Sequence, residues 1–151
     1  MFSIQRLRTS VKSTDSNNLQ SLRQKVEEGL STLLDSSKQR RELVCWGGNV
    51  PTFYSVAKLR KAANDAHLPS KIQEKLEKVW GDNQYAAVIV FTHRLEGQQV
   101  RVLWVDHKPQ VDSAGTATPQ PSHLTFYTMN GALLDSGKLS PGNPPTLSFE
   151  S

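Results

Sequence analysis

The chain has 151 residues, of which 36% are apolar and 21% charged, with a net charge of +4. Its mean hydropathy is −0.49, and its longest apolar run, Tyr85 to Phe91, falls far short of the roughly 20 residues that a membrane-spanning helix needs, so the sequence reads as one soluble domain. The single cysteine, Cys45, excludes an internal disulfide and any cysteine-based zinc cluster, and points to an intracellular compartment, cytoplasmic or nuclear.

Residues 1–16 read as a flexible basic arm, with Arg6, Arg8 and Lys12, several hydroxyls, and no acid before Asp15. In composition, residues 1–13 also resemble a mitochondrial presequence. Leu19, Leu22, Val26, Leu30, Leu33 and Leu34 recur at three/four spacing and predict an amphipathic helix over roughly 17–35, with Gly29 as a weak point and Ser36-Ser37 as an interruption. Its narrow stripe suits packing on a sheet, or on its copy in a second subunit. A basic stretch follows, and Leu43 to Trp46 is a short apolar run, either a strand or a helix end. Gly47-Gly48-Asn49 breaks the chain, and Pro51 and Thr52 open a second helix over about 52–66, with Phe53, Val56, Ala57, Ala63 and Ala66 inward. A third helix starts near Ser70, carries Ile72, Leu76, Val79 and Trp80 as one stripe, and ends at Gly81-Asp82-Asn83.

From Gln84 onward the pattern becomes that of strands. Residues 84–94 are apolar on both faces, as a central strand covered on both sides should be, and residues 99–107 alternate. Residues 108–122 hold three prolines and read as a long surface loop. Residues 123–129 and 132–138 form a further pair around Asn130-Gly131, a dipeptide that favours a two-residue type I′ turn. The Pro/Gly-rich tail, 140–151, is either free or docks Leu147 and Phe149 as an edge strand. The expected fold is α+β: a single domain over 17–139, with about three N-terminal helices, then an antiparallel sheet of about four strands with the helices packed on one face. The third helix is expected to bury Leu76, Val79 and Trp80 against Ile89, Phe91 and Val102.

The excess positive charge sits in the arm and in residues 38–61, where Lys38, Arg40, Arg41, Lys58, Arg60 and Lys61 face only Glu42. Such a cluster suits a polyanion, because cationic side chains neutralise phosphates without reading sequence. Trp46, Phe53 and Tyr54 near it offer aromatic planes for unpaired bases. The same charges suit an anionic membrane, with Phe2, Ile4 and Leu7 as the apolar side of a short basic segment. In size and charge the chain resembles the viral matrix proteins, a likeness that implies membrane association, nucleic-acid contact and self-association.

A catalytic alternative rests on Gln39, Cys45 and Trp46, spaced Q-x5-C-W, with His123 on a later strand and Asp135 beyond it. This resembles the papain-like cysteine proteases, including the small viral leader proteases. The resemblance implies Cys45 as thiolate nucleophile, His123 as base, Asp135 orienting the imidazole, and Gln39 binding the oxyanion. The four histidines show no H-x3-H or HExxH spacing, so no metal and no cofactor is expected. The sequence thus favours a non-enzymatic, basic, homo-oligomeric binding protein for RNA, DNA or an anionic membrane. A thiol hydrolase and a protein–protein adaptor, with Trp46 and the proline-rich loop as contacts, remain as alternatives.

Overall fold

A computed structural model describes residues 22–46, 56–82 and 85–149. The basic arm with Arg6 and Arg8, the start of the first helix, and the Gly47 to Tyr54 stretch with Phe53 lie outside the described residues. The class is α+β. Helix α1 (22–28) leads through Gly29 into α2 (Leu30–Gln39), followed by β1 (Arg41–Trp46), α3 (Val56–Asp65) and α4 (Ser70–Asp82). The strands are β2 (Tyr85–Leu95), β3 (Gln98–His107), β4 (Gln110–Val111), β5 (Ala117–Thr118), β6 (Ser122–Thr128), β7 (Leu133–Ser140) and β8 (Thr146–Phe149). All pairs are antiparallel, and the main sheet runs β1-β2-β3-β6-β7-β8.

Two expectations about this sheet need correction. It has six strands among the described residues rather than four, because Arg41–Trp46 and Thr146–Phe149 add to its two edges. The helices pack on both faces rather than on one. Leu22, Val26 and Leu33 of α1 and α2 are buried with Ile89, Phe91, Val100, Val102, Leu124 and Phe126. Leu59 and Ala63 of α3 and Ile72, Leu76 and Trp80 of α4 are buried on the other face with Cys45, Val88, Val90, Leu103 and Val105. So α4 meets Val88 and Leu103, not Ile89, Phe91 and Val102. The physical reason is that β2 is apolar at nearly every position, and adjacent residues of a strand point to opposite faces.

Helix details follow from the same burial. Ser36 and Ser37 do not end α2, which continues to Gln39 with both serines buried. The Ser37 hydroxyl donates to the Leu34 carbonyl at 2.6 Å, which satisfies it inside the helix. Ser36 Oγ lies 3.1 Å from Nδ1 of His93, a histidine only 2% exposed. In α3, Leu59 is a core residue that the pattern passed over, while Ala57 is exposed.

The turns also differ. The two-residue hairpin loop with positive φ at both positions is Glu96-Gly97, at 49° and 80°. Only Gly131 of the Asn130-Gly131 pair has positive φ, 97°, and its N–H bonds to the Thr128 carbonyl at 3.0 Å. This is a type I turn followed by a left-handed glycine, which shifts the ladder between Phe126 and Tyr127. A side chain at 131 is excluded twice over, since a Cβ there would lie 2.5 Å from Pro69. In the 108–121 excursion, Asp112 Oδ1 accepts N–H bonds from Ala114 and Thr116, both at 2.9 Å, and so shapes the β4–β5 hairpin.

Burial holds the His93 imidazole below its usual range, and Arg40 adds to the effect. Unfolding therefore takes up a proton as the pH falls below about 6.5, the ordinary value of the exposed ring. Stability should be full above that pH and should decline as the pH falls below it. Urea unfolding across this window checks it: a flat profile, or one unchanged in His93→Gln, would remove His93 as the cause. Phe91, 0% exposed at the centre of its face, should cost about 3–5 kcal/mol when changed to alanine, read as a lower urea midpoint.

Candidate anion-binding site

Paired residues of adjacent antiparallel strands share a face. One transverse row therefore runs Cys45, Val88, Val105, His123, Lys138, Ser148 across all six strands of the sheet. Helices α3 and α4 cover the first three members. From His123 outward the row turns polar, and the edge of α4 forms a step above it. Val105 and His107 alternate along β3 onto this face, so His107 lies beside His123 at the foot of the step.

His107 Nε2 lies 2.7 Å from His123 Nδ1, and the rings meet edge to face with centroids 4.7 Å apart. Two adjoining depressions, each of about 340 Å³, share this pair. The inner one is lined by Lys75, Lys78 and Val79 of α4, Tyr85 of β2 and Val105. The outer one is lined by Lys108, Gln110, Gln120, Pro121 and Lys138. Neither lining includes a carboxylate among the described residues. Burial, followed by the neighbouring Cys45, raises the Tyr85 phenol above its usual range, which keeps it a neutral hydrogen-bond donor.

The nearest acid in sequence, Asp106, belongs to the opposite face. Its Oδ1 accepts from Trp104 Nε1 at 2.9 Å and from the Ser122 hydroxyl. Other acids are tied to arginines. Glu42 takes the Arg101 guanidinium at 3.0 and 3.1 Å and the Thr92 hydroxyl at 2.6 Å, at the far end of the same face. Asp135 takes the Arg23 guanidinium at 2.7 and 3.1 Å on the α1 face.

The residues expected to bind a polyanion are only partly available for it. Lys38, Arg40 and Arg41 are exposed at the end of α2 and the start of β1, and Arg41 Nε donates to the Ser37 carbonyl at 2.6 Å. Lys58, Arg60 and Lys61 are exposed on α3, across the sheet from α2. Arg60 is paired with Glu77, and Lys61 with Asp65 at 2.9 Å. The pairing with Arg60 holds Glu77 below the usual carboxylate range.

The thiol-hydrolase set is not assembled. Cys45 is fully buried in the core and lies three strand spacings from His123, roughly 14 Å. Asp135 faces away from His123 and is held by Arg23, and Gln39 is exposed at the end of α2 on the other face. Burial pushes the Cys45 thiol up to about 11, with the Trp80 indole beside it opposing the shift. Among the described residues that indole N–H has no conventional hydrogen-bond partner, and the sulfur beside it is a weak acceptor. A nucleophilic cysteine needs the opposite environment.

Among the described residues, no group of three His, Cys, Asp or Glu side chains gathers as a metal site, and no helix is long and apolar enough to cross a membrane. The sequence signals for the His107–His123 cleft were weak: Lys75 and Lys78 look like solvated helix positions, and the two histidines are 16 residues apart. The useful signal was the alternation that puts Val105 and His107 on one face. No protein-family model matches the chain, and neither a curated protein nor a solved structure does.

The folded protein should resist alkylation at Cys45. Iodoacetamide at neutral pH should label it only at the rate of unfolding, and fully in denaturant. Rapid stoichiometric labelling of the native protein, followed by mass spectrometry, would overturn the buried assignment.

Proposed function

We propose that the protein is a non-enzymatic binding protein for a phosphate-bearing polyanion, and that its ligand is single-stranded RNA or DNA. The observation that carries this reading is the cleft around His107 and His123, ringed by Lys75, Lys78, Lys108 and Lys138 with no carboxylate in its described lining. Ammonium groups so placed attract phosphates through charge and release counterions on binding. A recess between a helix edge and a sheet favours a threadlike chain over a flat bilayer, which cannot enter it. The exposed face beyond the cleft is polar, with His123, Lys138 and Ser148 in one row, and offers little apolar surface for membrane insertion. Self-association through the first helix is not part of the proposal, because Leu22, Val26 and Leu33 are buried against the sheet.

Fluorescence anisotropy with labelled oligouridylate tests this reading. With about four phosphates contacted, log affinity should fall with log salt at a slope of roughly −2 to −3. Changing Lys75, Lys78, Lys108 and Lys138 together to alanine should weaken binding at least about tenfold at low salt and flatten the slope. Changing Lys58, Arg60 and Lys61 should have a much smaller effect, since Arg60 and Lys61 already face Glu77 and Asp65. Binding lost in the second variant but kept in the first would move the site to α3. Binding to anionic vesicles without binding to the oligonucleotide would replace the nucleic-acid reading with a membrane one.

A further inference from the structure

We propose that the inner depression of the cleft receives one unstacked base of the bound strand, and that it favours the keto bases uracil and guanine over the amino bases cytosine and adenine. The inference rests on the nucleic-acid reading of the same site and adds to it a base subsite and a preference among bases.

The two depressions differ in chemistry. The outer one is lined by polar and cationic side chains, Gln110, Gln120 and Lys138 among them. The inner one has apolar walls. On the sheet side, Tyr85 is the register partner of His107 on the neighbouring strand, and Val105 lies two residues before His107 on the same face. On the helix side, Lys75, Lys78 and Val79 stand at i, i+3 and i+4 of α4 and so form one ridge. Val79 packs at the margin of the core cluster that holds Tyr85 and Val105. Two valines and the ring of a phenol offer nothing to a phosphate, whereas the faces of a planar base match them. The volume, about 340 Å³, is at the small end of the roughly 300–1,000 Å³ of ligand pockets, and suits one base rather than a stack of several. With phosphates in the outer depression, an adjacent base is the part of the strand that meets the inner one.

The preference follows from the polar groups at the rim. The ammonium groups of Lys75 and Lys78 carry only N–H donors and no acceptor. Burial, followed by the neighbouring Cys45, raises the Tyr85 phenol above its usual range, so it keeps its proton and donates as well. No carboxylate or side-chain amide lines the inner depression among the described residues. Uracil and guanine present carbonyl oxygens, O4 and O6, where cytosine and adenine present amino groups. The donors at the rim bond the carbonyls and leave the amino groups unmatched. Neither imidazole is needed for this choice.

Fluorescence anisotropy on the full chain, with labelled octamers of uridylate, of cytidylate and of an abasic backbone, tests the proposal. The three carry the same number of phosphates, so the charge contribution cancels from the comparison. Uridylate should bind about three- to tenfold more tightly than cytidylate. It should bind about tenfold or more above the abasic chain. Changing Lys75 and Lys78 to glutamine, which has both a donor and an acceptor, should bring the uridylate-to-cytidylate ratio near unity, with the fold checked by the amide spectrum. The methyl NMR signals of Val79 and Val105 should move with uridine monophosphate and not with inorganic triphosphate. Equal binding of uridylate and cytidylate, a ratio that survives in the variant, or valine methyls that stay unmoved or move as much with triphosphate would each overturn the base subsite. Salt-dependent binding of all three octamers alike would overturn it too and leave the polyanion reading standing. Failure of every octamer to bind at low salt would end both.

Discussion

Strand β2 has to bury both of its faces, and the rest of the fold is arranged to let it. Val88, Val90 and Phe91 are each 0% exposed, with the valines on one face and Phe91 on the other. A strand of this kind cannot lie at an edge or under a single layer of helices, because about 25 cal/mol for each Å² of apolar surface would be forfeited on the bare side. The answer is a three-layer arrangement in which α1 and α2 cover one face and α3 and α4 the other. β1 and β3 flank the strand and saturate its hydrogen bonds. The charged pairs lie outside this centre: Arg101 with Glu42 ties β3 to β1, and Arg23 with Asp135 ties α1 to β7.

The same constraint creates the cleft. The helices that shield β2 on the α4 side extend over β1 to β3, while the sheet continues for three more strands. The row from Cys45 to Ser148 crosses that boundary, with valines under the helices and histidine, lysine and serine beyond them. A recess is the geometric result wherever a helix layer stops short on a continuous sheet. Its chemistry is then set by a few positions on elements distant in sequence: two lysines one turn apart on α4, the end of β3, the start of β6, and one lysine of β7.

This explains which features could be read from the chain alone. Strand positions in 84–107 and 122–140 were legible because period-two alternation and turn residues are local signals, and the α4 stripe was legible for the same reason. The assignment of helices to faces was not, since Ile89 and Val90 are equally apolar and only tertiary packing decides which one meets Leu76. The edge strand β1 looked ambiguous because six residues are too short to show a period. Asn130-Gly131 misled on turn type: Pro69 and Thr128 shape that loop from outside the dipeptide. The candidate site was the least legible part. Charge density along the sequence pointed to 38–61, but density does not count partners, and Arg60, Lys61 and Arg41 each have one. Q-x5-C-W likewise named Cys45, which the sheet register holds three strands from the expected base.

The placement of the cations is what the proposed function draws on. Where Arg23, Lys25, Arg60 and Arg101 meet carboxylates, the interaction is internal to the protein, and its role in holding elements together is sufficient explanation. The two adjoining depressions that share the His107–His123 pair are lined by Lys75, Lys78, Lys108 and Lys138, from three parts of the chain, with no acid in their described lining. Gathering like charges costs free energy, because each ammonium is repelled by the others at the separations of a single recess. On the proposed function, an anion from outside would reduce that repulsion. On the proposed reading, the cluster is poor for stability and good for binding.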